Sequence, residues 1–161
     1  MHTRNVLILA TTTLFALGTS AHAEEGTKAL AAAVLKRIDL NRGLCAVVGR
    51  DRDLAIELAT ASELLVHLRD PNPANVVELR TLADKAGLDL PRFVTEHGSL
   101  GRLPYADNTV DVVLCTQATP DLLKTLPLKE VLRALRPGGL ALFGNSNLGE
   151  NESGVIFGKW S

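Results

Sequence analysis

The chain has 161 residues, 17 of them basic and 18 acidic, a formal net charge of −1, and 46% hydrophobic against 22% charged residues. That is the composition of one globular domain, and it excludes disordered, fibrous and low-complexity classes. The balanced charge leaves no electrostatic footprint for nucleic acid or for an anionic membrane surface.

The first 23 residues have the layout of an export signal. His2 and Arg4 form a weakly basic start, Val6 to Leu17 an apolar, Thr-rich stretch, and Ala21-His22-Ala23 a small-x-small cleavage site. Cleavage would start the mature chain at Glu24, removing one Arg and no acidic residue. An apolar run of about a dozen residues falls short of the roughly 20 needed to span a bilayer. Export to the periplasm or the medium is therefore expected, with an uncleaved membrane anchor as the alternative. No later stretch has the length and apolarity of a transmembrane helix.

From Thr27 to Ile38, Leu30, Val34, Leu35 and Ile38 recur at helical spacing, and Asn41-Arg42-Gly43 supplies a stop. Leu44 to Val48 is a continuous apolar run ending at Gly49, the pattern of a strand buried on both faces of a parallel sheet. Asp53 to Ala61 predicts a helix and Leu64 to Leu68 a second strand. Asp70-Pro71-Asn72-Pro73 then forces a turn, because each proline fixes its own φ and biases its predecessor away from helix. Ala74 to Ala86 predicts a helix with Val76, Val77, Leu79 and Leu82 on its apolar face and Gly87 as its C-terminal cap. Arg92 to His97 is a short third strand and Val110 to Cys115 a fourth. Asp121 to Leu135 reads as one helix, Arg136-Pro137-Gly138-Gly139 as a turn, and Leu140 to Phe143 as a fifth strand. The tail from Asn145 to Ser161 reads as loop, with Gly154 to Trp160 able to add one short strand. This alternation predicts a Rossmann-like α/β/α domain over 24–161, with a mostly parallel sheet, helices on both faces and right-handed crossovers.

In such open sheets ligands bind outside the carboxyl ends of the strands. The residues at those ends are Gly49 to Asp53, Asp70 to Asn72, Gly98 to Leu100 and Thr116 to Ala118. Asp70 follows Gly49 by about twenty residues, the spacing at which an acid can accept hydrogen bonds from ribose hydroxyls. An Asp before Pro is equally a turn residue whose carboxylate bonds nearby backbone amides. The alternating Arg50-Asp51-Arg52-Asp53 reads as a solvated loop with weak local ion pairs. His67 and His97 have no Cys, Asp or Glu neighbours at metal-ligand spacing, and no nucleophile elbow or phosphate-binding loop is present.

Three stretches carry a family resemblance. Val66-His67-Leu68-Arg69-Asp70-Pro71-Asn72-Pro73-Ala74-Asn75-Val76 resembles the second motif of class I S-adenosylmethionine (SAM) dependent methyltransferases, of the methyltransferase type 11 kind. Gly98 to Val113, with its Leu103-Pro104-Tyr105-Ala106-Asp107-Asn108 core, is similar to that family's run from the third strand through the fourth. Leu132-Arg133-Ala134-Leu135-Arg136-Pro137-Gly138-Gly139-Leu140 resembles its turn into the fifth. The likeness covers roughly residues 30 to 145.

The resemblance implies SAM as cofactor and methyl transfer to an acceptor it does not specify. It implies that Gly49 begins the turn under the cofactor, Asp70 binds the ribose hydroxyls, Ser99 and Leu100 flank the adenine, and Thr116 and Gln117 line the site after the fourth strand. Three departures stand beside it. Gly49-Arg50-Asp51-Arg52-Asp53 replaces a glycine-rich turn that lets the backbone approach the cofactor, Ser99 stands where an acid is common, and five strands are expected where the family has seven. If the first and fourth strands are neighbours, as in that family, Cys45 and Cys115 lie at different levels and remain free thiols. Two functions follow: a SAM-dependent methyltransferase with a small-molecule cofactor, or an exported non-catalytic module that keeps the fold for binding or interaction.

Overall fold

In the computed structural model the described residues are 18–88, 92–144 and 156–159. The predicted export segment lies outside them as far as residue 17. Helix α1 (Gly18–Ile38) runs across Ala21 to Ala23 and is longer than the Thr27 start predicted for it. Its inward stripe is Ala31, Val34 and Ile38, while Leu30 is exposed. No helix of the described residues is long and apolar enough to cross a membrane.

Strand β1 (Leu44–Val48) is followed by α2 (Arg52–Ala61), β2 (Leu65–Asp70), α3 (Pro73–Lys85), β3 (Phe93–His97), β4 (Val110–Cys115), α4 (Pro120–Thr125), α5 (Leu128–Ala134), β5 (Leu135–Phe143) and β6 (Ile156–Lys159). The sheet order is β3-β2-β1-β4-β5-β6. The first five strands are parallel, and β6 runs antiparallel to β5, with Leu140 opposite Lys159 and Phe143 opposite Ile156. This is the predicted Rossmann-like architecture, incomplete relative to seven strands, and β6 is the short strand that the tail could supply.

Successive strand residues point to opposite faces, and the two faces bury separate cores. Cys45, Val47, Val66, Leu68, Val112 and Leu114 pack against α1, α2 and α3 through Val34, Leu58 and Leu79. Ala46, Val48, Val113 and Ala141 face the other way, towards Leu100, Leu103, Leu126 and Val131. On that second face the loop between β3 and β4 serves as part of the cover.

Three elements differ from the sequence reading. The single helix over 121–135 is two, because Pro127 has no N–H to continue the first and holds Leu126 at φ −110°, ψ 90°. The turn at Arg136–Gly139 lies inside β5 as a bulge, Leu135 pairing with Val110 and Leu140 with Val112; Gly138 supplies its positive φ of 78°. On α3, Val76, Leu79 and Ala83 form the buried face, and Val77 is 63% exposed. Val77 neighbours Val76 in sequence, so helical geometry turns it about 100° away from that face.

Both cysteines are free and buried. Cys45 lies level with Val112, short of Cys115, which is the separation expected to keep them apart. Burial pushes both thiols up to about 12, so they pack as neutral groups. The face assignment of α3 predicts that Leu79→Ala costs about 2–5 kcal/mol, whereas Val77→Ala changes stability by under ~0.5 kcal/mol. Urea unfolding of the two variants checks this.

Candidate functional site

Strand order reverses between β1 and β4, with β2 and β3 on one side and β5 and β6 on the other. The carboxyl ends of two such strands flank the crevice where open α/β sheets take ligands. Here Gly49 ends β1 with φ +97°, donating its N–H to the Arg69 carbonyl at 3.1 Å. A Cβ at Gly49 would stand 3.4 Å from Leu122 Cδ2 and be strained by that φ.

Two residues on, Asp51 turns inward. It is 4% exposed, its Oδ2 accepts the Thr116 backbone N–H at 2.6 Å, and its Oδ1 accepts the Thr116 hydroxyl at 2.6 Å. The Gln117 backbone N–H also supports the carboxylate. Burial raises its pKa above the ordinary aspartate value, and these three donors oppose that rise. The solvated loop expected over 50–53 is therefore corrected. Its charges make tertiary contacts, Asp51 with the end of β4 and Arg52 with Glu78 on α3.

Asp70, at the end of β2, is 1% exposed. Its Oδ1 accepts the Asn72 backbone N–H at 2.6 Å and its Oδ2 the Asn75 amide at 2.8 Å. Asn72 in turn caps α3 by accepting the Ala74 N–H at 3.0 Å, so the turn residues that precede the helix also close over the acid. His97 Nε2 lies 3.1 Å from the Pro71 carbonyl. Ser99 is exposed; its carbonyl accepts Arg69 Nε at 2.9 Å and its hydroxyl accepts the Gly101 N–H at 3.1 Å. Leu100 is 1% exposed and belongs to the second core. The structure thus brings Gly49 and Thr116 to adjacent strand ends, leaves Gln117 exposed, commits Asp70 and Ser99 to their own turns, and buries Leu100.

A polar network beneath the β3–β4 loop has no counterpart in the sequence reading. The Tyr105 hydroxyl and His67 Nδ1 are 2.9 Å apart, and the two rings meet edge to face. His67 Nε2 lies 3.4 Å from Glu96 Oε2, which also pairs with Arg69 at 2.5 Å. Burial lowers the His67 pKa against the pull of Glu96. These contacts, with Arg69 to the Ser99 carbonyl, hold the loop to β2. Its far side is held by Glu130, which accepts the Leu103 N–H at 2.8 Å, and by Arg133, whose guanidinium reaches the Tyr105 carbonyl at 2.8 Å. Both are long-range side-chain-to-backbone bonds, and the spacing of charges in the sequence carries no signal for them.

Among the described residues no group of three or more His, Cys, Asp or Glu could hold a metal ion. A cavity of about 740 Å³ lies between α3 and β3, lined by Arg80, Asp84, Leu88, Phe93 and Thr95. It is away from the β1/β4 crevice.

Residues 52–143 match the family model described as a methyltransferase domain. The chain belongs to this family. No curated protein matches the sequence. Among solved structures the methyltransferase domain is similar to a protein assigned as an S-adenosyl-L-methionine-dependent methyltransferase from Methanococcus maripaludis, with 20% identity, TM-score 0.65, and coverage of 78% of this chain and 62% of that one. The [4+2]-cyclase SpnF gives 23% identity and TM-score 0.64 over 73% of this chain and 44% of that one. A SAM-dependent methyltransferase from Geobacter sulfurreducens in complex with S-adenosyl-L-homocysteine gives 21% and 0.60 over 75% and 47%. The chain spans less than two thirds of the length of each of these three.

Glu130 offers a pH test of the loop's anchorage. Its hydrogen bonds from Arg133, with help from the Leu103 N–H, lower its pKa from 4.5 to about 2. A carboxylate depressed on folding adds stability above its unfolded pKa and loses it as pH falls through the folded one. Glu130→Gln should therefore flatten the loss of stability between about pH 4.5 and 2, measured by urea unfolding across that range.

Proposed function

We propose that this methyltransferase domain is an exported, non-catalytic module that uses the fold for binding or interaction. The observation that carries this reading is Asp70. The acid that the resemblance assigns to the ribose hydroxyls is 1% exposed, and each of its oxygens already accepts a bond from its own turn. Each oxygen keeps a second acceptor position, but with Asp70 1% exposed a ribose reaches it only by moving the turn and the Asn75 side chain that cover it. On this reading the covered Asp70 does not hold the cofactor, and no reaction step is routed through it. That one neighbour of the same fold is a [4+2]-cyclase supports keeping fold and activity separate.

A second reading, SAM-dependent methyl transfer to an unidentified small acceptor, is favoured by a specific observation. The family match over 52–143 contains all three resembling motifs. On that reading Gly49, Asp70, Ser99, Leu100, Thr116 and Gln117 would surround the cofactor, which brings its own activated methyl group while the protein orients it.

Calorimetric titration of the chain with S-adenosylhomocysteine separates the two. The expected result is no saturable heat. Affinity near ~1 μM, abolished by Asp70→Ala, would restore the enzyme. Export has its own test. N-terminal sequencing of the protein recovered from the periplasm or medium should begin at Glu24, and a chain retaining Met1 would contradict cleavage.

A further inference from the structure

We propose that the Thr116 backbone N–H and hydroxyl form a carboxylate receptor at the mouth of the β1/β4 crevice. The chain fills this receptor itself with Asp51. An external carboxylate then enters only where Asp51 is displaced. The proposal goes beyond the absence of catalysis, because it names a binding subsite and the chemical class it takes.

Three observations carry it. First, the donors converge on one carboxylate, with both Asp51 oxygens engaged at 2.6 Å. Second, the group that fills the receptor comes from another strand end, 65 residues away in sequence. It is 4% exposed, and no cationic side chain pairs with it among the described residues. A buried, unpaired carboxylate persists only where hydrogen-bond donors replace its lost water. Third, the donor peptide is fixed independently of Asp51. Gly144 donates to the Cys115 carbonyl at 2.9 Å, and Ala118 donates back to the Gly144 carbonyl at 2.8 Å. A Cβ on Gly144 would crowd the Thr116 carbonyl at 3.3 Å, so the end of β5 backs directly onto Thr116. The donors therefore hold their positions when the Asp51 side chain is removed.

Removing that side chain opens the receptor and costs α2 no capping bond, since the Asp51 side chain makes none. Asparagine is the matched control. Its carbonyl accepts the Thr116 N–H and its amide donates to the Thr116 hydroxyl, so the receptor stays filled by an isostere.

The probe is acetate, against chloride at equal ionic strength and neutral pH, with thermal melting of the full chain as the readout. Asp51→Ala should melt below the wild type in chloride and regain stability saturably in acetate. At ten times the dissociation constant the gain is about 11-fold in the folding equilibrium constant. Wild type and Asp51→Asn should not respond. An Asp51→Ala chain that melts identically in the two salts would overturn the proposal, as would a wild type that responds as strongly as the variant. Should Asp51→Ala give no cooperative melt, the refolding yield of Asp51→Ser in the two salts reads the same difference, and equal yields overturn it. Acetate carries no adenosyl group, so this result is independent of the S-adenosylhomocysteine titration.

Discussion

The bonds from Asp51 to the Thr116 backbone N–H and hydroxyl join the ends of β1 and β4 at the point where the sheet reverses its strand order. In an open α/β sheet the loops leaving two such strands diverge, and the gap between them is where ligands settle. Here the gap is crossed by a charged side chain of the chain itself. Gly49 makes this possible, because its φ of +97° sends the backbone back towards β4 and places Asp51 at the crevice. Leu122 of α4 packs 3.4 Å from where a Gly49 side chain would begin, which leaves little room for another residue there.

The remainder of the carboxyl end follows the same principle of internal satisfaction. Asp70 is closed by Asn72 and Asn75, the Ser99 carbonyl by Arg69, and the loop from Leu103 to Asp107 by Arg133 and Glu130. The His67–Tyr105 pair fills the space under that loop on the second face. Buried polar groups are costly when unpartnered, and each of these groups has a partner within the chain except His67 Nε2, which makes no hydrogen bond. The fold is that of a methyltransferase domain, and most polar groups at its strand ends are bonded within the chain.

The framework was legible in the sequence because burial dictates it. Leu44 to Val48 is apolar without interruption and Val110 to Cys115 is broken only by Asp111, close to what strands covered on both faces require, and both emerged at their predicted bounds. The family resemblance was carried by the same strand ends that the family model covers. The misreadings have local physical causes. Pro127 splits a segment whose hydrophobic pattern is otherwise continuous, and Val77 is apolar but lies off the buried face of α3. The site was less legible. Asp70 could be read as ribose ligand or turn residue, and its hydrogen bonds are those of the turn. Asp51 sits among alternating charges that look solvated, and its partner Thr116 is 65 positions away. Only the tertiary fold brings the two together.

The central proposal is that the carboxyl end of the sheet is closed by its own side chains and takes no adenosyl cofactor. The most direct test is the amide spectrum of the isotope-labelled chain during titration with S-adenosylhomocysteine. The account predicts unmoved resonances at Gly49 to Arg52, Asp70, Asn72 and Thr116 to Ala118. Saturable shifts at those amides, with Asp51 and Asp70 released from their present partners, would contradict it.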